Sequence, residues 1–178
     1  MDQSAILKQS KSCSQSRVIQ THRILPAMCN MHNTLYGGRL MEMIDNCASI
    51  SVSRHARCLT VTASMDTLNF IEPLPLADSV CIETMVTGTG KTSMEVFVKV
   101  VGEELNTGRR YLAATAFLTF VTVPNDAGQK VYVPSVFPET AEEKYVCAGY
   151  AKRRQTRLSA YAEDQAFNQQ ISIDIPWA

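Results

Sequence analysis

One helical segment, followed along the chain by a run of strand-like segments, most constrains how this sequence can fold. Residues 38–55 are mostly small or apolar, and the residues at the spacing of one helix face are Leu40, Met43, Ile44, Cys47, Ala48 and Ser51. A helix with so few charged side chains requires a surface that wraps around it. The sequence therefore predicts one long central helix.

The segments around this helix carry the pattern of β-strands. One alternating segment precedes the helix and four segments rich in β-branched residues follow it, at 16–25, 59–70, 78–87, 92–101 and 111–123. Short turns separate the last four segments. Consecutive strands joined by short turns favour an antiparallel sheet whose one face is covered by the lone helix. The predicted class is α+β, with a long central helix wrapped by an antiparallel sheet of about five strands.

The chain divides into three predicted parts. Residues 1–16 are polar and rich in Ser and Gln, which is typical of a flexible N-terminal tail. Residues 17–125 form the predicted domain, and residues 126–178 a C-terminal extension in which 139–158 reads as a surface helix with a basic end. The isoleucines beyond that helix are interpreted either as an added edge strand or as a contact with a neighbour: Ile171, Ile173 and Ile175.

Composition excludes several classes of function. The 17 basic and 17 acidic residues cancel, so no global field is available to hold nucleic acid or an anionic membrane. No apolar run approaches the roughly 18 residues that span a bilayer, and the N-terminus lacks the apolar stretch of a signal peptide. The six cysteines show no metal-binding spacing and are expected to be reduced, structural thiols. The sequence thus predicts a cytoplasmic protein with no cofactor and no metal.

The segment from Asn30 to Asp45 carries the first candidate site. Its glycine pair, Gly37 and Gly38, stands where the helix begins, so a ligand can approach the backbone without a side chain in the way. The free N–H groups of a first helical turn point outward, with the positive end of the helix dipole behind them. A carbonyl oxygen placed there would be polarised as in an oxyanion hole.

Asp45 lies on a flank of the helix beside Met41 and Val52, away from the main apolar stripe. A carboxylate among small and apolar neighbours is costly unless it has a partner or a use. Desolvation there would raise its pKa and make it a better general base. An equally weighted interpretation is a capping role or a surface ion pair with Arg39 or Arg54.

A second segment, residues 87–96, contains the Gly-Lys-Thr that ends a nucleotide-binding loop. That loop also requires a glycine at position 85, where this chain has methionine, and it leads into a helix, whereas 94–101 alternates like a strand. A nucleotide hydrolase is therefore excluded. The turn can still hold a phosphate through its backbone and side chains, or it is an ordinary solvated turn; its residues are Gly90, Lys91, Thr92 and Ser93.

A basic cluster at 152–157 is the third candidate. Arg153 and Arg154 lie in it and are candidates for binding a phosphorylated ligand, although such runs are usually a solvated helix end. The chain has no Gly-x-Ser-x-Gly elbow and no defensible Cys–His pair, so a covalent Ser or Cys mechanism is unsupported.

Together these motifs resemble those of a known family. The spacing of Asn30, the Gly37-Gly38 pair and Asp45 is similar to that of the acyl-CoA hydrolase (cytosolic long-chain acyl-CoA thioesterase) branch of the hotdog superfamily. Three strand segments look like the same family's motifs, at 62–70, 90–96 and 117–121. The similarity covers roughly residues 17–157, and it agrees with the strand, helix and four-strand order.

The resemblance implies a fold, an assembly and an activity. It implies the hotdog fold, subunits paired edge to edge into dimers, and often dimers assembled into hexamers. It implies hydrolysis of acyl-CoA at the dimer interface, with Asn30 and Asp45 from opposite subunits. Asp45 would act as general base on water, or as nucleophile, while Asn30 and the backbone at Gly37-Gly38 would position water or thioester and polarise the carbonyl. The phosphates of coenzyme A would meet the Gly90–Ser93 turn and the basic stretch with Arg153 and Arg154.

One departure and two alternatives stay open. Family members commonly carry glycine where this chain has Asn33, so Asn33 competes with Asn30 for the amide role; only Asn30 has the matching spacing to Asp45. A hotdog dehydratase would use a histidine on the helix, and none lies between Gly38 and Ser53. A non-catalytic acyl-CoA-binding protein would keep the glycines without needing Asp45.

Overall fold

The computed structural model describes residues 3–174 of the chain. In order, the helices and strands are α1 (Gln3–Ile6), β1 (Ser10–Ser12), α2 (Cys13–Ser16), β2 (Val18–Arg23), a 3-10 turn (Pro26–Met28), α3 (Gly37–Ala56), β3 (Thr60–Phe70), β4 (Ser79–Thr89), β5 (Ser93–Glu103), β6 (Arg110–Thr122), β7 (Ser135–Phe137), α4 (Ala141–Ala148) and α5 (Tyr150–Asn168). The predicted order of strand, long helix and four strands is confirmed.

Five of the strands form one antiparallel sheet in the order β2-β4-β5-β6-β3. The chain goes from β2 on one edge to β3 on the other edge, with α3 between them, and the three central strands follow as hairpins. The register of β3 against β6 shifts twice, between Thr62 and Ser64 and between Met65 and Thr67. The predicted α+β architecture, a helix wrapped by about five antiparallel strands, is confirmed.

The inner face of the sheet packs on α3. Leu40, Ile44 and Cys47 are buried on the helix, against Val96 and Val98 of β5. On β5 these valines alternate with residues of the opposite face, because successive side chains of a strand point to opposite sides. The apolar face of α3 and the inward-facing side chains of the strands thus form one core.

The outer face of the sheet is covered by the C-terminal helices. Thr140 and Glu143 form a reciprocal capping box at the start of α4, which satisfies N–H groups that the helix leaves free. The predicted helix at 139–158 is instead two helices that meet at Gly149, and the second continues to Asn168. The basic residues lie in the first half of α5.

The N-terminal residues differ from the expected flexible tail. Strand β1 pairs in parallel with β7, and Cys13 and Ser16 are buried. The Ser16 hydroxyl accepts a hydrogen bond from the Val86 N–H at 2.9 Å. Small polar residues look solvated in a sequence, but here their hydroxyl groups satisfy backbone groups of the sheet.

The far C-terminal segment does not form the edge strand considered above. Ile171 and Ile173 are exposed and lie outside any strand, and Ile175 lies outside the described residues. All six cysteines are unpaired. Among residues 3–174, no helix is long and apolar enough to cross a bilayer.

Candidate active site

The loop before α3 holds Asn30 in one orientation. The Asn30 Oδ1 accepts hydrogen bonds from the backbone N–H of His32 at 2.9 Å and of Thr34 at 3.3 Å. Its Nδ2 donates to the Thr34 hydroxyl at 3.0 Å. Because a primary amide carries two N–H groups, the second is free to donate to a ligand. The half-buried Asn30 is therefore a fixed amide with a donor to spare.

Asn33 has a different role in the same loop. Its φ is +58°, in the left-handed region that glycine and asparagine tolerate best. Its N–H donates to the Asn30 carbonyl at 3.0 Å, and its carbonyl accepts from the Leu76 N–H at 2.9 Å. The side chain is exposed. The turn explains why asparagine can replace glycine at position 33.

The first turn of α3 opens onto a cavity of about 440 Å³. No side chain caps this helix start, so the N–H groups of Gly37 and Gly38 keep their outward donors. Asn30 and Gly37 lie on the cavity wall, and the wall is otherwise largely apolar, with Leu40, Phe70 and Leu74 among its members. A Cβ at Gly38 would stand 2.8 Å from the Tyr36 ring, so only glycine fits there without moving the ring. The structure thus brings Asn30 and the glycine pair together.

Asp45 lies two turns further along α3 and contacts the edge strand. Its Oδ1 accepts a hydrogen bond from the Thr62 hydroxyl at 2.7 Å. The side chain is half-buried in the single chain, and it forms no ion pair with Arg39 or Arg54. Arg39 pairs with Glu42, and Arg54 donates to the Arg17 carbonyl. The surface-ion-pair interpretation of Asp45 is therefore wrong.

Within one chain, Asp45 does not reach the cavity. From Gly37 to Asp45 the helix rises by about 12 Å, at about 1.5 Å per residue. On β3, Thr62 stands near one end of the strand, whereas Phe70, which lines the cavity, is its last residue. The amide and the carboxylate thus lie at two different ends of the same edge strand.

The turn at 90–93 lies at the Asp45 end of the sheet. Thr62 pairs with Phe120, and Phe120 pairs with Met94, directly after the turn. The Gly90 N–H donates to the Ser93 carbonyl at 2.8 Å, and the carbonyls of Lys91 and Thr92 accept from Val133 and Thr122. The turn is therefore held firmly, while the Lys91 side chain remains exposed.

The two arginines predicted to bind coenzyme A, Arg153 and Arg154, differ in their surroundings. Arg153 forms an ion pair with the fully buried Glu95 at 2.8 Å, and its guanidinium lies 4.0 Å from the centre of the Phe117 ring. Its guanidinium is therefore engaged by the sheet, and its predicted contact with coenzyme A stays a prediction. Arg154 is exposed. Tyr150, on the same helix, packs on Gly88, which places the start of α5 beside the 90–93 turn.

Thr62 is the residue that the sequence did not single out. It stands inside a recognised strand segment. Along β3, Thr62 alternates in phase with Leu68 and Phe70, so alternation alone agrees with an inward direction. The contact with Asp45 depends on how the start of β3 packs beside α3, and no local pattern in the sequence shows that packing.

A single helix wrapped by this five-stranded sheet, with an uncapped glycine start beside an apolar cavity, defines the hotdog fold of the thioesterase superfamily. The model of that superfamily matches residues 32–108. An uncharacterised acyl-CoA thioester hydrolase of Bacillus subtilis is 47% identical over 169 residues, 95% of this chain and 98% of the relative. The chain belongs to the acyl-CoA thioester hydrolase family, a family of enzymes.

Solved structures agree with this assignment. An acyl-CoA hydrolase from Staphylococcus aureus, solved with butyryl coenzyme A, coenzyme A and coenzyme A disulfide, has a TM-score of 0.85 at 33% identity, covering 90% of this chain and 97% of that one. A hexameric acyl-CoA thioesterase has a TM-score of 0.82 at 38% identity, covering 86% and 98%.

Three variants of the Staphylococcus aureus enzyme carry alanine in place of an asparagine, an aspartate and a threonine. Along that chain the three residues are separated by 15 and 17 positions. Asn30, Asp45 and Thr62 have the same residue types at the same two separations. The asparagine variant was solved with coenzyme A.

Proposed function

We propose that this protein hydrolyses acyl-CoA to a free fatty acid and coenzyme A, at a site shared by two subunits. Asn30 and the glycine pair of one subunit would act with Asp45 and Thr62 of the other. The observation that carries the proposal is the position of these groups at the two ends of β3, an edge strand whose outer edge pairs with no described strand.

The edge strand supplies the geometry. β3 pairs only with β6 among the described strands, and its other edge is exposed, with Val61 51% and Phe70 58% accessible. A long exposed edge with apolar side chains favours pairing with another strand. If two copies of β3 pair antiparallel about their midpoints, the Thr62 end of each strand meets the Phe70 end of the other. Asp45 of one subunit then faces the cavity that Asn30 and Gly37 line in its partner.

The chemistry follows from this juxtaposition. Asp45 takes a proton from a water molecule as the water oxygen bonds to the thioester carbonyl carbon. The carbonyl oxygen gains negative charge, which the N–H of Gly38 and the spare N–H of Asn30 stabilise. The carbon–sulfur bond then breaks, and the thiolate of coenzyme A leaves and takes up a proton. The Thr62 hydroxyl donates to Asp45 and fixes its second oxygen toward the water.

Asp45 as general base is favoured over Asp45 as nucleophile. A carboxylate that accepts one short hydrogen bond from a neighbouring hydroxyl is held in orientation but keeps lone pairs for a proton. In the single chain the carboxylate is half-buried, so a second subunit is needed to exclude water from it. Exclusion of water would strengthen the electrostatic interactions between the carboxylate, the water molecule and the thioester.

The phosphates of coenzyme A would bind at the Asp45 end. Lys91 is exposed there, on a turn that also offers Gly90, Thr92 and Ser93, and Arg154 projects from the adjoining start of α5. Backbone N–H groups of a fixed turn together with two cations suit a diphosphate and a 3′-phosphate. We propose a homodimer as the minimal active unit, assembled further into a trimer of dimers in the cytoplasm.

The decisive test is a thiol-release assay on short, medium and long acyl-CoA substrates. Asp45→Asn is expected to lose about 100-fold or more of the turnover, as removal of a general base typically does. Glu42→Gln, which changes an exposed carboxylate one turn earlier on α3, is the matched control and keeps wild-type turnover. Circular dichroism and sedimentation verify that both variants keep the fold and the assembly.

Sharing between subunits is tested by complementation. Asp45→Asn and Asn30→Ala chains with different tags are co-expressed, and the mixed oligomer is isolated through both tags. A two-fold interface makes one of the two sites in a mixed dimer fully intact, so about half of wild-type activity per mixed dimer returns. If both groups acted within one chain, no mixed dimer would have an intact site and activity would stay absent.

Other outcomes separate the remaining alternatives. Wild-type turnover by Asp45→Asn would refute the base assignment. Binding of acyl-CoA by the wild-type protein without release of thiol would identify a binding protein instead of an enzyme.

A further inference from the structure

We infer that α5 is a dimerisation helix: its second half passes beyond the edge of its own sheet and packs beside α5 of a second copy of the chain. The inference rests on the proposed pairing of β3 across a two-fold axis. It adds an interface on the outer face of the sheet, opposite the face that carries the site.

The first half of α5 crosses the outer face strand by strand. The Tyr150 ring lies on Gly88 of β4, which has no side chain to keep the ring away. Seven residues later, the Arg157 guanidinium bonds both Glu95 of β5 and Asp66 of β3, so it lies over β6 between them. From β4 to β6 is two strand spacings, about 9.6 Å, and seven residues of helix rise about 10.5 Å. The helix therefore runs almost straight across the strands toward the β3 edge.

Extending the same direction carries the helix over the edge. From β6 to the midline between two paired copies of β3 is one and a half strand spacings, about 7 Å, or about five residues of helix. That distance places the midline close to Tyr161. Helix α5 continues to Asn168, so its last two turns would overhang the neighbouring sheet by about 10 Å.

Around and beyond this midline, α5 is exposed in the single chain although it is partly apolar. Leu158 is 52%, Tyr161 62% and Phe167 65% accessible. Leu158 and Tyr161 share one lateral face of the helix, and Phe167 continues the face that Arg153 and Arg157 turn toward the sheet. A side-by-side helix would cover the first pair, and the neighbouring sheet would cover Phe167.

Charge follows the same symmetry. In the first half of α5, Lys152 and Arg154 are exposed, whereas Arg153 and Arg157 are bound to carboxylates of their own sheet; the second half carries the exposed Glu163 and Asp164. Two antiparallel copies would place each basic half beside the acidic half of the other helix. The lateral pair of Leu158 and Tyr161 would then straddle the two-fold axis. The centre of the helix pair at Leu158 and Tyr161 and the midline calculated from the strand spacing agree within one helical turn.

The crossing point also fits a pair of helices. Asp66, where Arg157 meets β3, lies next to the middle of Thr60–Phe70. A two-fold axis through the middle of a paired β3 therefore passes close to α5 of each subunit. Two helices cannot occupy the axis together, so they lie side by side, at the 8–10 Å that packed helices adopt.

Cysteine cross-linking tests this arrangement on the full-length protein. Leu158→Cys and, separately, Tyr161→Cys are treated with a short bis-maleimide, and covalent dimers are resolved on a denaturing gel. Thr156→Cys is the matched control, because residue 156 is exposed on the same helix, lies about 160° round it from Leu158 and about 140° from Tyr161, and is further from the axis. The wild-type protein measures the background from its six own cysteines.

The expected result is a shift of most Leu158→Cys and Tyr161→Cys chains to the covalent dimer, with Thr156→Cys at the wild-type background. Background levels for all three variants in a protein that sediments as a dimer or larger would overturn the helix pairing and leave the shared catalytic site standing. A monomeric wild-type protein would overturn both. Efficient cross-linking in a protein that releases no thiol would support the helix pairing and count against the proposed activity alone.

Discussion

The two ends of β3 differ in how completely a single chain builds them. At the pocket end, defined by Asn30, Gly37, Gly38 and the cavity, the amide is fixed by three hydrogen bonds and an apolar wall is already in place. At the carboxylate end, defined by Asp45, Thr62 and the 90–93 turn, one hydrogen bond orients a half-buried side chain. The pocket end has an apolar cavity, in which the proposed mechanism places the acyl group, whereas the carboxylate end is still partly open to solvent.

This difference suggests a division of labour between two subunits. A general base gains strength where water is excluded, and an oxyanion hole needs preorganised donors. In the proposed mechanism, each chain supplies the donors at one end of β3 and the base at the other. An antiparallel pairing of the edge strands combines the finished end of one chain with the unfinished end of its partner.

Among the changes that test this comparison, loss of the hydrogen bond that orients Asp45 should lower kcat the most. Thr62→Ala removes the 2.7 Å hydrogen bond to Asp45. A hydrogen bond to a charged group is worth about 1.5–3 kcal/mol, so kcat should fall about 10-fold or more. Thr62→Ser keeps the hydroxyl and should retain most of the activity. Equal kcat values in wild type and Thr62→Ala, from steady-state thiol release, would show that the contact is only structural.

A change at the pocket end should lower kcat almost as much. Gly38→Ala brings a methyl group to 2.8 Å from the Tyr36 ring, so the ring or the helix start must move. Small displacements of catalytic donors are costly, and we expect kcat to fall about 10-fold while the Kd for coenzyme A, measured by calorimetry, changes little. The control is Ala151→Gly, at an exposed position of α5. Gly128→Ala, in a remote surface turn, is less suitable because Gly128 has a positive φ. An unchanged kcat in Gly38→Ala would remove the helix start from the oxyanion site.

The two neighbouring arginines should respond in opposite ways. Arg153→Ala leaves the buried Glu95 with Arg157 as its remaining cationic partner, and should lower the free energy of unfolding by about 1–3 kcal/mol in urea titrations. Arg154→Ala should leave stability within about 0.5 kcal/mol of wild type and raise KM for acyl-CoA. The reverse pattern, with stability lost at Arg154 and KM raised at Arg153, would contradict the proposed position of the phosphates.

The smallest expected effect is a pH dependence of stability at the far end of α3. His55 is fully buried, and burial, with a further contribution from the Lys11 charge, lowers its pKa, although its contact with the Pro134 carbonyl opposes the shift. The folded protein therefore keeps His55 neutral, while the unfolded chain binds a proton near the ordinary pKa of about 6.5. Stability is full above that pH and is lost as the pH falls through the window between the two pKa values.

His55→Gln keeps a donor for the Pro134 carbonyl but cannot titrate. Its free energy of unfolding, from denaturant titrations between neutral and mildly acidic pH, should vary less with pH than that of the wild type. A variant with the same pH slope as the wild type would assign the acid sensitivity to other groups.

The elements of the fold were readable because their periods are strong. Leu40, Ile44 and Cys47 mark one helix face, and the β-branched segments separated by short turns required an antiparallel sheet. Where the sequence pattern is weak, the predicted elements differ from the structure. Cys13 and Ser16 stand in a polar stretch that reads as a tail, yet both are buried, and the break at Gly149 is invisible in a run of helix-forming residues.

The candidate site divides in the same way. Asn30, Gly37, Gly38 and Asp45 were predicted from their spacing along one loop and one helix and from the family resemblance that this spacing carries, which is local information. The ion pair of Arg153 was not foreseen because its partner Glu95 is 58 positions away in the chain, and an arginine that pairs with a buried carboxylate looks in sequence like one that meets solvent. Thr62 was missed because its contact with Asp45 joins a strand to a helix 17 positions earlier, and only the packing of the two elements shows it.

By itself, the sequence determined the class of fold, the helix that carries the site and the family to which the chain belongs, because helix and strand periods and motif spacings are properties of neighbouring residues. Only the tertiary structure decided that the amide and the carboxylate stand at separate ends of one edge strand, that Thr62 touches Asp45, and that Arg153 is bound to the sheet. Those facts depend on which strands pair and in what register, and pairing is settled by packing between segments distant in the chain.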